Sequence, residues 1–187
     1  MITERNFSKN EILDAFSEES INQQMFEIVK EHEAENDPLL SEISNTLGTD
    51  DNWIVINLDP LSDLLSTLLE ELYKNNICAD LIKIEKINLS FFVLSSNISD
   101  SHPIYDVELA IRKILEVFKS HGKRLLICID NIKDTESMQC FISAFQIMVR
   151  EDLPVFLLIA GQREDICSLQ DEKNLTFLYR APKVVSR

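Results

Sequence analysis

Glycine is scarce in this chain: Gly48, Gly122 and Gly161 are the only three in 187 residues. No two are close enough to frame a G-x-x-x-x-G-K-[ST] loop, whose glycines let backbone N–H groups close around phosphates. The four cysteines, Cys78, Cys128, Cys140 and Cys167, include no CxxC pair, so neither a disulfide framework nor a zinc site is expected. Cys128 and Cys140 lie in apolar periodic segments and read as small buried hydrophobes. Apolar runs such as "FFVL" and "VFLLIA" fall far short of the about 20 residues that span a membrane, so no membrane is expected. Cations are also few, 18 against 32 acids, and the net charge of −14 repels phosphate backbones. A nucleic-acid partner is therefore disfavoured. The densest basic patch, "HGKR" at 121–124, reads as a solvated helix-to-strand turn, and His32, His102 and His121 stand singly in polar surroundings.

With 45% hydrophobic residues, 187 positions are enough for one domain with a proper core. The opening "MITERNFSKNE" is polar and acidic, unlike a secretory signal, which makes a cytoplasmic location the default expectation. The chain shows no internal repeat, low-complexity tract or linker, so 1–187 reads as a single domain.

The last two thirds alternate between two periodicities. "WIVINL" (53–58), "RLLICID" and "PVFLLIAG" are continuous apolar runs that read as buried strands, and "LTFLYRA" (175–181) reads as a fourth. Between them, Leu64, Leu65, Leu68, Leu69 and Leu72 recur at helical spacing, with Asp63 early and Lys74 late. Val107, Ala110, Ile111, Ile114, Leu115 and Phe118 mark a second helix that Gly122 closes in a left-handed cap. Met138, Phe141, Ile142, Phe145, Met148 and Val149 mark a third. Residues 81–95, "LIKIEKINLSFFVLS", alternate with period two and predict extended strands or a hairpin. In the first fifty residues "NEILDAF" and "PLLSEISNTL" suggest short helices, while "MFEIVKEHEAEND" fits either a strand or a helix. Apolar strands separated by helices predict a mostly parallel sheet covered on both faces, a three-layer α/β sandwich.

In such sheets ligands sit beyond the carboxyl ends of the strands. Three polar groups are placed there: Asp59, the pair Asp130–Asn131, and Gly161–Gln162. A carboxylate at the tip of a buried strand can hold magnesium beside a nucleotide's phosphates, although many such acids only cap a turn.

Taken in order, "NWIVINLDPLSDLLSTLLEELY", "HGKRLLICIDNI", "FISAFQIMVREDLPVFLLIAG" and "FLYRA" resemble the ATPase domains of the AAA-type, archaeal-ATPase-like P-loop family over residues 25–183. Residues 1–24 would be a helical segment preceding that core. The resemblance implies a P-loop NTPase-like fold with Mg-ATP as cofactor, "LLICID" as the Walker B strand and "FLLIAG" as the strand leading to sensor 1. It implies that Asp130 is the magnesium-associated acid, that Asn131 stands where the catalytic glutamate usually is, and that Gln162 lies near sensor 1.

The sequence departs from the family where chemistry is concentrated. The phosphate loop should lie between "MFEIV" and "LLSEI", yet 30–38 reads "KEHEAENDP", acidic and without glycine. This interval is expected to form a loose loop or an extra helical turn instead of a cradle of N–H groups. An amide at Asn131 cannot take a proton from water, so hydrolysis is expected to be lost. The helical lid of the family has no counterpart after "FLYRAPKVV", and Arg163 and Arg180 are expected to make ordinary salt bridges. These features favour a degenerate ATPase-like module that binds a protein partner or regulates, without bound cofactor. Two readings stand beside it: an ATP-binding protein with an unconventional phosphate site, and an unrelated α/β interaction domain. An AAA-like core should set the "LLICID" strand beside "WIVINL", with the "MFEIV" strand central in the sheet.

Overall fold

Five apolar segments pair into one all-parallel sheet. The computed structural model describes residues 7–17, 23–30, 38–85, 103–172 and 175–186. The strands are β1 (Met25–Lys30), β2 (Trp53–Leu58), β3 (Arg124–Ile129), β4 (Val155–Gln162) and β5 (Lys183–Ser186), in the order β2-β3-β4-β1-β5. The register places Ile54 opposite Leu125, Leu125 opposite Val155, and Met25 opposite Leu157. The ambiguous segment after Gln24 is thus a strand, and β3 lies beside β2 as expected. However, β1 is not the central strand: β4 is, because it pairs with both β3 and β1, which leaves β1 second from the edge beside β5.

The continuous apolar character of β3 and β4 has a direct cause: alternate residues feed two separate cores. Leu125, Ile127, Ile129, Leu157 and Ile159 enter one core, shared with helices α3 (Leu64–Lys74), α4 (Asn76–Ile84), α5 (Pro103–Ser120), α6 (Glu136–Arg150) and α7 (Arg163–Asp171). Leu126, Cys128, Leu158 and Ala160 enter the other, closed by α1 (Lys9–Ser17) and α2 (Pro38–Leu47). A strand buried on both faces needs no polar alternation. The result is the expected three-layer α/β sandwich. On the smaller face Phe16 of α1 is fully buried, with its ring 5.3 Å from those of Phe26 and Phe156.

Local signals in the sequence set the helix ends. Asp63 caps α3 by accepting the Ser66 N–H at 3.3 Å, and Lys74 sits in its last turn. Gly122 has φ +66°, and the N–H of Lys123 reaches back to the Phe118 carbonyl at 2.8 Å, which closes α5. The "HGKR" turn holds its cations close to the protein: Lys123 Nζ donates to the Asp51 carbonyl, and Arg124 donates to the Phe16 carbonyl while lying over Trp53.

Two expected strands are helical instead. "LTFLYRA" contains a 3-10 helix, Thr176–Arg180, because Leu175 and Leu178 are buried three residues apart while Tyr179 and Arg180 face solvent. The fifth strand comes later, where Lys183 to Ser186 pair with β1. Leu81–Ile84 form the last turn of α4, whose inward residues Cys78 and Leu81 are also three apart. The period-two pattern there ends in Ile84, which is 66% exposed. Residues 86–95, the rest of that expected hairpin, lie outside the described residues, as do 31–37 of the acidic interval and the histidines His32 and His102. Cys128 is buried as expected, but Cys140 is only half-buried because it sits on the flank of α6. Among the described residues, no helix is long and apolar enough to cross a membrane.

Candidate functional site

All the strands are parallel, so their carboxyl ends share one edge of the sheet. There β2 leads to Asp59, β3 to Asp130 and Asn131, β4 to Gly161 and Gln162, and β1 to Lys30. Asp59 belongs to a turn: its Oδ1 accepts the Leu61 N–H at 2.9 Å and its carbonyl accepts the Ser62 hydroxyl at 2.7 Å. That is the capping role open to any strand-end acid.

Asp130 and Asn131 are engaged differently. The ammonium of Lys30 lies 2.5 Å from Asp130 Oδ1 and donates to Asn131 Oδ1 at 2.8 Å. β4 separates β1 from β3 by two strand spacings, about 10 Å, and the Lys30 side chain crosses the end of β4 to meet the Asp130 and Asn131 side chains extending from the other side. The Lys30 side chain is 2% exposed and that of Asp130 19%. A buried cation of this kind requires a paired anion.

The backbone is shaped to present this pair. Asn131 has φ +50°, a left-handed conformation that asparagine tolerates better than most residues, and its N–H bonds the Asp130 carboxylate at 2.7 Å. The chain then passes over the end of β4, where the Ile132 N–H meets the Ala160 carbonyl at 3.0 Å. A Cβ added at Gly161 would lie 2.6 Å from Ile132 Cγ1, so only glycine admits this crossing. The following loop is tied down on both sides. Lys133 pairs with Asp165 at 2.8 Å, Ser168 donates to Asp134, and Ser137 bonds both the Ser62 carbonyl and the Leu64 N–H. Gln162 is the register partner of Lys30 and starts α7, but its side chain makes no hydrogen bond with a described residue.

Sequence reasoning named Asp130, Asn131 and Gln162 but not Lys30, which it counted only as the first residue of the acidic interval. The available signal was a lysine closing an apolar strand. It also missed a second buried group. Glu27, on β1, is fully buried, and its carboxylate accepts the Gln170 amide at 2.9 Å. The Lys183 ammonium donates to Gln170 Oε1 at 2.9 Å and lies 4.0 Å from Glu27 Oε2. Burial pushes the Glu27 carboxyl up to about 8, against the opposing pull of Lys183 and Gln170. This network joins β1, β5 and α7. Arg180 makes no ion pair with a described residue, so the salt bridge expected of it is not found; its 3-10 helix turns it outward at the opposite end of the sheet.

No protein-family model matches the chain, and no curated protein matches it in sequence.

Proposed function

We propose that this chain is an ATPase-like module of the AAA-type P-loop class that has lost ATP hydrolysis and serves as a binding or regulatory domain for a protein partner. The observation that carries this reading is the Lys30–Asp130–Asn131 cluster. In a working site the Asp130 carboxylate would face magnesium, a cation that requires oxygen ligands at about 2.0–2.1 Å. Here a buried ammonium lies 2.5 Å from the same carboxylate and supplies the positive charge internally. A metal arriving at Asp130 would meet that charge at close range. Asn131 contributes an amide oxygen already engaged by Lys30, and an amide is no base for an attacking water. The position of β3 beside β2 is the one expected of an AAA-like core and supports the reading. An unconventional phosphate site built on Lys30 would require its ammonium to leave both Asp130 and Asn131.

Thermal unfolding with and without Mg-ATP, together with a phosphate-release assay, tests this. A ligand present at about 1,000 times its Kd stabilises a protein by about 4 kcal/mol, a shift of many degrees. The expected result is no shift with millimolar Mg-ATP and no phosphate release above the blank. A shift that disappears in Asp130→Ala overturns the proposal.

A further inference from the structure

At the opposite end of β1 from Lys30, about 16 Å away at the usual strand rise, the surface carries a cleft of about 330 Å³. That volume is at the lower end for small-ligand pockets. Three features of the cleft point to a ligand. Arg150 and Arg180 line it, and neither makes an ion pair or a side-chain hydrogen bond with a described residue, although the chain carries 32 acids. Gln24 also lines it and is 6% exposed. The Gln24 amide nitrogen is committed to the Leu153 and Val155 carbonyls, both at 2.9 Å, which fixes the orientation of the group. The Gln24 Oε1 is buried and meets no donor among the described residues. Buried acceptors without a donor are rare, and each calls for a partner. The remaining wall includes Phe145, Val149 and Phe177, a surface suited to an apolar side chain.

We infer that this cleft receives the carboxyl terminus of a partner peptide with an apolar last residue. The two guanidiniums match a carboxylate in charge and in their forked donors. An N–H of the peptide supplies the donor that Gln24 Oε1 lacks, and the last side chain enters the aromatic wall. The same chemistry is carried by a free N-acyl amino acid, so the two sources must be separated. The cleft lies apart from the Lys30–Asp130 cluster, and this inference does not rest on the ATPase-like reading.

The test is a titration of the whole chain followed by ¹H–¹⁵N NMR, including the arginine Nε–H and glutamine side-chain signals. The probes are acetyl-Ala-Ala-Phe as the free acid, its C-terminal amide, and acetyl-Phe. The expected result is saturable binding of the acid with a Kd of about 1 mM or tighter, and about tenfold weaker binding of the amide. Because both arginines are exposed, Arg150→Ala/Arg180→Ala keeps the fold, which the unperturbed remainder of the spectrum verifies, and is expected to abolish the preference for the acid. Gln24→Met is expected to weaken the acid while keeping its advantage over the amide. Equal affinity for acid and amide, or no saturation by the acid, overturns the inference. Binding of acetyl-Phe as tight as that of the tripeptide overturns the peptide assignment in favour of a small metabolite.

Discussion

Asp130 and Lys30 show how far one residue's environment controls its chemistry. Removing one partner of a buried ion pair costs about 3–5 kcal/mol, because the other charge is left without its counterpart. The asymmetry in exposure, 2% for Lys30 against 19% for Asp130, sets the direction here. Asp130→Ala strands a nearly dry ammonium and is expected to cost about 3–5 kcal/mol in urea unfolding. Lys30→Met should cost less, because Asp130 retains access to water, and the double variant should recover part of the loss. Strictly additive effects would contradict the coupling. Asp130 was legible in the sequence because it ends an apolar strand. Lys30 was not: 101 positions separate it from Asn131, and only the placement of β4 between their strands brings them together.

Glu27, on the same strand as Lys30, makes stability depend on pH through its burial. In the fold its carboxyl keeps its proton up to about pH 8, against 4.5 ordinarily. The native state therefore binds a proton that the unfolded chain releases between those values. The stabilising effect is complete below about 4.5 and is lost as pH rises toward 8. Glu27→Gln is expected to flatten this part of the stability–pH curve, and chemical denaturation at pH 5, 6, 7 and 8 measures it. An unchanged slope in the variant would mean that Glu27 is not the titrating group.

Among the elements, the legible ones were those whose burial follows a single period. Strands β2, β3 and β4 showed as continuous apolar runs because each serves two cores, and α3, α5 and α6 showed as stripes because each serves one. The misread elements are short. The stretch 175–180 buries only two leucines, too few to separate period three from period two, and β5 has four residues beginning with a buried lysine that looks like surface. The crossing after β3 adds a further constraint that composition hides. Gly161 is in an ordinary strand conformation, so its necessity comes from Ile132 packed against it and not from its torsion angles. Gly161→Ala is expected to cost about 1–3 kcal/mol by overpacking, measured by thermal or urea unfolding. Combining Gly161→Ala with Ile132→Ala, which removes the γ carbon in conflict, should cost less than the sum of the two single changes if steric conflict is the cause.

At the level of the whole molecule, the sheet separates two chemically distinct ends. The carboxyl edge carries the Lys30–Asp130–Asn131 cluster, where charges are satisfied internally. The amino edge carries Arg150, Arg180 and the side-chain Oε1 of Gln24, which find no partner among the described residues. An edge with its charges paired internally and an opposite end left open fit the proposed module whose partner is a protein. The −14 net charge acts in the same direction, since an overall negative field disfavours ATP as well as nucleic acid. We propose that Lys30 supplies at Asp130 the positive charge that a metal would bring. Calorimetric titration of the unaltered protein with ATP in excess magnesium tests it most directly. No saturable heat is predicted, whereas micromolar binding that disappears in Asp130→Ala would contradict the account.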